Sequence, residues 1–273
     1  MKDIIYISDF FDDEIIGGAE LSDGVVIKYL KEKGVNLKTV KSQTFSPNIH
    51  KADVFIISNF TGLSEESKLW FQESATYIII ERDQKYVDTR NTAMYDGFIA
   101  PQSKVVNKSF YSHAKKVFCL THKQAEIMNM HLDIENIETL GCTQFSQDQF
   151  DHIRKMYKEK KDSKWCIVPG KRSNKAIQLC ETQSIPYDYL KNCKWNELIE
   201  TISSYQGIVF FSHAFESCCR LVLEARMLGL KVKTDNRVGC TYEEWFGKYK
   251  GIELISFLET KVEETLERIY SEI

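Results

Sequence analysis

Four short runs, Ile4 to Ile7, Val54 to Ile57, Tyr77 to Ile80 and Val117 to Leu120, are apolar at every position, and they constrain the fold of this chain more than any other feature. A strand without polar alternation has both faces covered, the condition of a parallel sheet packed between helices. Segments of helical periodicity separate the runs, at Ala19 to Lys33, Ser64 to Ser74 and His122 to His131. Strand and helix therefore alternate, as an α/β doubly wound sheet requires.

A second series repeats the pattern. It reads as a strand at Trp165 to Val168, a helix at Asn174 to Glu181, a strand at Tyr187 to Leu190 and a helix at Asn196 to Tyr205. Next come a strand at Ile208 to Ser212, a helix at Arg220 to Leu228 stopped by Gly229, strands near Lys231 to Thr234 and Ile252 to Ile255, and a last helix from Leu258 to about Ser271. The polar stretch Gln144 to Lys164 between the series reads as a helix plus connector. The expected organisation is two Rossmann-like domains facing a cleft: residues 1–145, a connector at 146–163, and residues 164–273, with the last helix packing back on the first domain. Ligands of such sheets bind beyond the carboxyl ends of the strands.

Composition narrows the function classes. The chain is 43% hydrophobic and 27% charged, as in a globular protein, and lacks the ~20 consecutive apolar residues of a membrane span. Its start, MKDIIYISDFF, lacks the pattern of a signal peptide, so the cytoplasm is the expected location. A net charge of -3 provides no global attraction to polyanions. The eight cysteines form no Cys-x-x-Cys pair and read as reduced, mostly buried thiols; the six histidines show no metal-ligand spacing, and no metal site is expected.

Glu224 falls three residues after Leu221 and four before Leu228, on the helix face that should meet the sheet. A carboxylate there is costly unless something binds it, and an i,i+4 pair with Arg220 is the plain explanation. Glu216 lies eight positions earlier in the loop, so the two form an E-x7-E pattern with strand, loop and helix around it. This segment resembles the signature of retaining glycosyltransferases of GT-B architecture, family four in particular. The resemblance implies that Glu216 lies by the donor sugar and Glu224 binds the ribose hydroxyls. It also implies that Ser217, Cys218, Cys219 and Arg220 line the diphosphate at the helix start, where orphan N–H groups and a partial positive charge suit an anion.

Three further constellations fit the same family. Gly17, Gly18 and Glu20 follow the first strand at a helix start, as a Gly-Gly-x-Glu does in those enzymes, although glycine before a helix is often only a turn. Lys171, Arg172 and Lys175 follow the first strand of the second series, where the family carries cations that neutralise the departing diphosphate; Lys171 with Lys175 is the preferred pair. In IIIERDQKYVDTRN, Asp83 is the candidate for orienting the acceptor hydroxyl, and Arg82, Lys85 and Arg90 are candidate acceptor or phosphate contacts; a solvated loop is the alternative. The family's short phage-type members carry a histidine near Arg82 or Gln84 that is absent here.

The resemblance thus implies a metal-independent hexosyl- or pentosyltransferase. It would take a nucleotide sugar, expected to be a UDP-sugar, as substrate with no separate cofactor, and would work in the host cytoplasm if phage-encoded. Some short phage-type members act on hydroxymethylated cytosine in DNA, and Lys104, Lys108, Lys115 and Lys116 would track a DNA backbone if they shared a face; ordinary solvated lysines are the alternative. Polysaccharide, lipid or protein acceptors stay open, as do a nucleotide-sugar epimerase and a nucleotide-sugar-binding module without transfer activity. The sequence does not specify the sugar or the oligomeric state.

Overall fold

The computed structural model describes residues 2–14, 17–170 and 172–273. They divide into two compact units, Met1–Phe145 with Val262–Ile273, and Ser146–Lys261.

The first unit contains β1 (Asp3–Ser8), α1 (Gly18–Glu32), β2 (Asn36–Lys41), β3 (Val54–Ile57), α2 (Glu65–Ser74), β4 (Tyr77–Glu81), α3 (Lys108–Ser112), β5 (Lys116–Cys119), α4 (His122–Leu132) and β6 (Ile137–Thr139). All pairings are parallel, in the order β2-β1-β3-β4-β5-β6. The apolar runs supply the inner strands, and every residue of β3 and β4 is buried. Local chemistry sets the helix starts: the Ser64 hydroxyl accepts from the Ser67 N–H (3.1 Å) ahead of α2, and Thr121 accepts from the Gln124 N–H (3.2 Å) ahead of α4. Each such cap contributes about 1 kcal/mol. The strand order reverses between β1 and β3, which puts the ligand-binding position of this sheet beyond Ser8 and Ile57.

The second unit contains α5 (Gln147–Met156), β7 (Trp165–Ile167), α6 (Ser173–Thr182), β8 (Tyr187–Tyr189), α7 (Trp195–Ile202), β9 (Gly207–Val209), α8 (Arg220–Met227), β10 (Lys231–Lys233), α9 (Glu244–Lys248) and the first part of α10 (Gly251–Ser271). Its parallel sheet runs β10-β9-β7-β8, with the reversal between β7 and β9. Trp165, Ile167, Ala176, Cys180, Val209 and Phe211 form a core cluster beneath it. Gly207 is required there, because a Cβ would stand 2.6 Å from the Lys231 carbonyl oxygen and from the Trp165 ring. Gly229 ends α8 with φ +80°, the left-handed cap that favours glycine.

One sequence reading needs correction, and two strands escaped it. Ile252 to Ile255 is no strand; it opens α10, whose buried Leu254, Ile255, Leu258, Val262 and Ile269 recur at helical spacing. A short apolar run is compatible with either structure, and here the continuing period decides. β2 and β6 are edge strands with no fully buried position, and neither presents an apolar run.

All eight cysteines are free thiols, and Cys193 alone is exposed. Among the described residues, no helix is long and apolar enough to cross a membrane.

Candidate functional site

In the second unit, the loops after β7, β9 and β10 meet at the reversal of strand order. Arg172, just before α6, donates from Nη1 to the Ser212 carbonyl oxygen (2.9 Å) and to Asp235 Oδ2 (3.1 Å). Lys175, in the first turn of α6, donates to the same Asp235 oxygen at 2.9 Å and lies over the Phe211 ring, 4.3 Å from its centroid. Two of the cations chosen from sequence thus converge on one carboxylate. Asp235 is held below its ordinary range: burial raises it, and the bonds from Lys175, the Arg237 N–H and Arg172 outweigh that. Lys171 lies outside the described residues.

The loop between β9 and α8 is pinned on both sides. The Glu216 N–H donates to the Arg237 carbonyl oxygen (2.7 Å), and the Glu216 carbonyl oxygen accepts from the Gly239 N–H (2.8 Å). Glu216 Oε1 accepts from the Ser212 hydroxyl at 2.8 Å, so one serine holds the glutamate through its side chain and Arg172 through its carbonyl. The loop delivers Ser217, Cys218 and Cys219, all buried, to the start of α8, with Cys219 as N-cap. Burial pushes the Cys219 thiol well up, so it is a poor nucleophile and acts here as a compact side chain.

Glu224 is 3% exposed. Its Oε1 accepts from Trp195 Nε1 (2.9 Å) and lies 3.7 Å from Arg220 Nε, so the i,i+4 pair weighed from sequence does form. Burial raises the Glu224 pKa, against Arg220 and Trp195. Arg220 also donates from Nη2 to Gln149 Oε1 (2.9 Å).

The first unit gathers its polar groups beyond the ends of β1, β3 and β4. Asp23, on α1, is fully buried; its Oδ1 accepts from Tyr6 (2.9 Å), Ser58 (2.9 Å) and Arg82 (2.6 and 3.0 Å), and its Oδ2 from Ser8 (3.2 Å). Arg82 also donates to Gln144 Oε1 (2.9 Å). Arg82 is therefore buried and engaged internally by Asp23 and Gln144. Lys85 is buried likewise, donating to Asp83 (2.7 Å), Glu81 (3.1 Å) and Asn59 (3.3 Å). Glu81, Arg82 and Lys85 turn inward because carboxylates, hydroxyls and amides at the strand ends pair with them, an arrangement that local sequence does not reveal. Asp83 and Arg90 remain accessible and are ion-paired to each other. Burial raises the Asp83 carboxyl, and Lys85 and Arg90 outweigh it, leaving the group below its ordinary range.

Gly17 caps α1 in an extended conformation (φ -114°), so positive φ is not its purpose. The space left by its missing Cβ is taken by the Glu20 carboxylate, and Gly18 begins the helix. Glu20 is half-buried, and burial raises its pKa. The lysine stripe weighed from sequence is largely neutralised: Lys104 pairs with Asp88 (2.9 Å), Lys115 with Glu272 (3.1 Å) and Lys116 with Glu138 (3.0 Å).

Sequence reasoning missed Asp235, Ser212, Trp195 and Gln149. Asp235 lies just past the end of β10, so the strand-end rule had the means to find it. Trp195 reaches Glu224 across 29 positions and carries no local signal. Among the described residues, no group of three or more His, Cys, Asp or Glu side chains is placed to hold a metal ion.

No protein-family model and no curated protein sequence matches this chain. Solved structures do match. HepE of Anabaena, in complex with UDP and glucose, is 9% identical over 99% of both chains, with a TM-score of 0.57. AviGT4, a glycosyltransferase involved in avilamycin A biosynthesis, is 9% identical over 100% of this chain and 97% of its own, at 0.53. An α-glucosyltransferase in complex with UDP and a 13-mer DNA containing a central A:G mismatch is 10% identical over 99% of this chain and 90% of its own, at 0.50. Two parallel-sheet Rossmann-like units within one chain, matched over nearly its whole length by these structures, identify the architecture as the GT-B fold.

Proposed function

We propose that this chain is a retaining glycosyltransferase that moves a sugar from a UDP-sugar to a hydroxyl acceptor without a metal ion. The observation that carries the reading is the convergence, at the strand-order reversal of the second unit, of Arg172, Lys175, a serine-held Glu216 and the start of α8. Cations and helix N–H groups stabilise a departing diphosphate, and fixed carboxylates accept hydrogen bonds from sugar hydroxyls. Ser217, Cys218, Cys219, Arg220 and Lys171 complete the donor side of this reading, with Glu224 toward the ribose. Asp83, with Arg90 beside it, receives the acceptor hydroxyl with Glu20 toward its approach, and Gly17 and Gly18 leave room for the donor phosphates or the acceptor.

During transfer the bond from the anomeric carbon to the diphosphate oxygen breaks, and a bond to the acceptor oxygen forms on the same face. The acceptor proton passes to the departing diphosphate oxygen, so no protein base is consumed. Proteins of this fold have been seen with UDP, and one of them with DNA, which makes UDP the first donor nucleotide to test and DNA the first acceptor class; hydroxymethylated cytosine within it is the expectation from the sequence resemblance. The paired state of Lys104, Lys115 and Lys116 leaves a DNA acceptor without a lysine stripe in its support.

The test is release of UDP from UDP-sugars, with and without hydroxymethylated DNA, by wild type and Glu216→Gln. Wild type should release UDP, and the variant should retain UDP binding while turnover drops at least about a hundredfold. Equal turnover in the variant refutes the site. Stabilisation by UDP with no release by wild type would assign the chain to the binding modules instead.

A further inference from the structure

We propose that Trp195 is a positioning residue for Glu224, orienting its carboxylate toward the vicinal hydroxyls of the donor ribose; this rests on the donor reading above. Glu224 projects from α8 into the interior, where a carboxylate is costly unless hydrogen-bonded. Two groups compete for its Oε1. The Arg220 Nε, at 3.7 Å, is within ion-pair range but beyond hydrogen-bond range, whereas the Trp195 indole N–H is at 2.9 Å. The group that fixes the direction of the carboxylate is therefore the neutral one. A neutral donor orients the group without cancelling its charge and leaves it a strong acceptor for ligand hydroxyls.

Both flanking groups are braced by one helix. Gln149 and His152 stand three positions apart on α5, on one face. The His152 ring lies against the Trp195 ring, centroids 5.2 Å apart at 45°, and among the described residues its Nε2 has no hydrogen-bond partner, so its contribution is packing. Gln149 Oε1 accepts from Arg220 Nη2 (2.9 Å) and from the Ser146 N–H (3.0 Å), the latter half of the capping box that starts α5. α5 thereby keeps the indole close to Glu224 and engages the end of the Arg220 guanidinium elsewhere.

The experiment compares wild type, Trp195→Phe and Glu224→Ala by calorimetric titration with UDP and with 2′,3′-dideoxy-UDP. Phenylalanine keeps the ring against His152 and removes only the N–H. The expected result for Trp195→Phe is UDP binding weakened about five- to tenfold with dideoxy-UDP binding unchanged, and a KM for UDP-sugar that rises more than kcat falls. The ratio of the two dissociation constants does not depend on the folded fraction, so partial unfolding of the variant leaves it readable. If Glu224→Ala loses the preference for UDP over dideoxy-UDP while Trp195→Phe keeps it, the positioning role is overturned and the donor reading stands. If Glu224→Ala keeps the preference, the assignment of Glu224 to the ribose fails, and the role of Trp195 with it.

Discussion

Replacing Arg82 by methionine tests whether the buried network of the first unit is a single interdependent structure. The Arg82 side chain is 3% exposed and that of Asp23 is 1% exposed, with Nη2 and Oδ1 2.6 Å apart. Removing the guanidinium strands an anion beneath α1 with hydroxyl donors from Tyr6, Ser8 and Ser58. Breaking a buried pair by removing one partner costs about 3–5 kcal/mol. Asp23→Asn should cost a similar amount, because it removes the charge paired with Arg82 and leaves the guanidinium facing neutral acceptors such as Gln144 and Ser58. The double variant leaves no charge stranded and should be less destabilised than the sum of the singles by about 2 kcal/mol or more. Two-state denaturation is a poor assay for a chain of two units. Hydrogen exchange followed by mass spectrometry on the β1, β3 and β4 peptides reads the first unit directly. Those amides should exchange about two to four orders of magnitude faster in Arg82→Met than in wild type. A change below about tenfold, or strict additivity of the two substitutions, would refute the view of one coupled network.

Two other outcomes follow from the second unit. Asp235→Asn removes the anion shared by Arg172 and Lys175, so the net positive charge there rises, and UDP binding measured by calorimetry should tighten several-fold with a steeper salt dependence; weaker binding would make Asp235 a support for the cations. Lys161 is lowered to about 8 by burial and by Lys158. Its neutral fraction should rise through pH 8, while that of an ordinary lysine rises near 10.4. Competitive acylation read by mass spectrometry should label Lys161 ahead of the other lysines at pH 8, and equal labelling would count against it.

The parts of the site that were legible share a property. Glu216, Arg172 and Lys175 follow strands, and strand ends can be found from apolar runs. Where the carboxylates and cations point was not legible. Arg82 and Asp83 are adjacent in sequence, yet Arg82 is engaged with Asp23 on α1 and Asp83 with Lys85 and Arg90 nearer the surface. The choice depends on which groups lie across the sheet end, here Ser58, Asp23 and Gln144, and all three are remote in sequence.

Hydrophobic patterning alone was enough to specify two parallel α/β units, because a strand buried on both faces must be apolar throughout and the helices between such strands must carry an apolar stripe. The edge strands β2 and β6, the helical state of Ile252 to Ile255, and the partners of Glu224 were decided only in three dimensions. Edge strands and isolated polar contacts draw their stability from neighbours that the chain brings together by folding, and no local pattern encodes a neighbour 29 residues away.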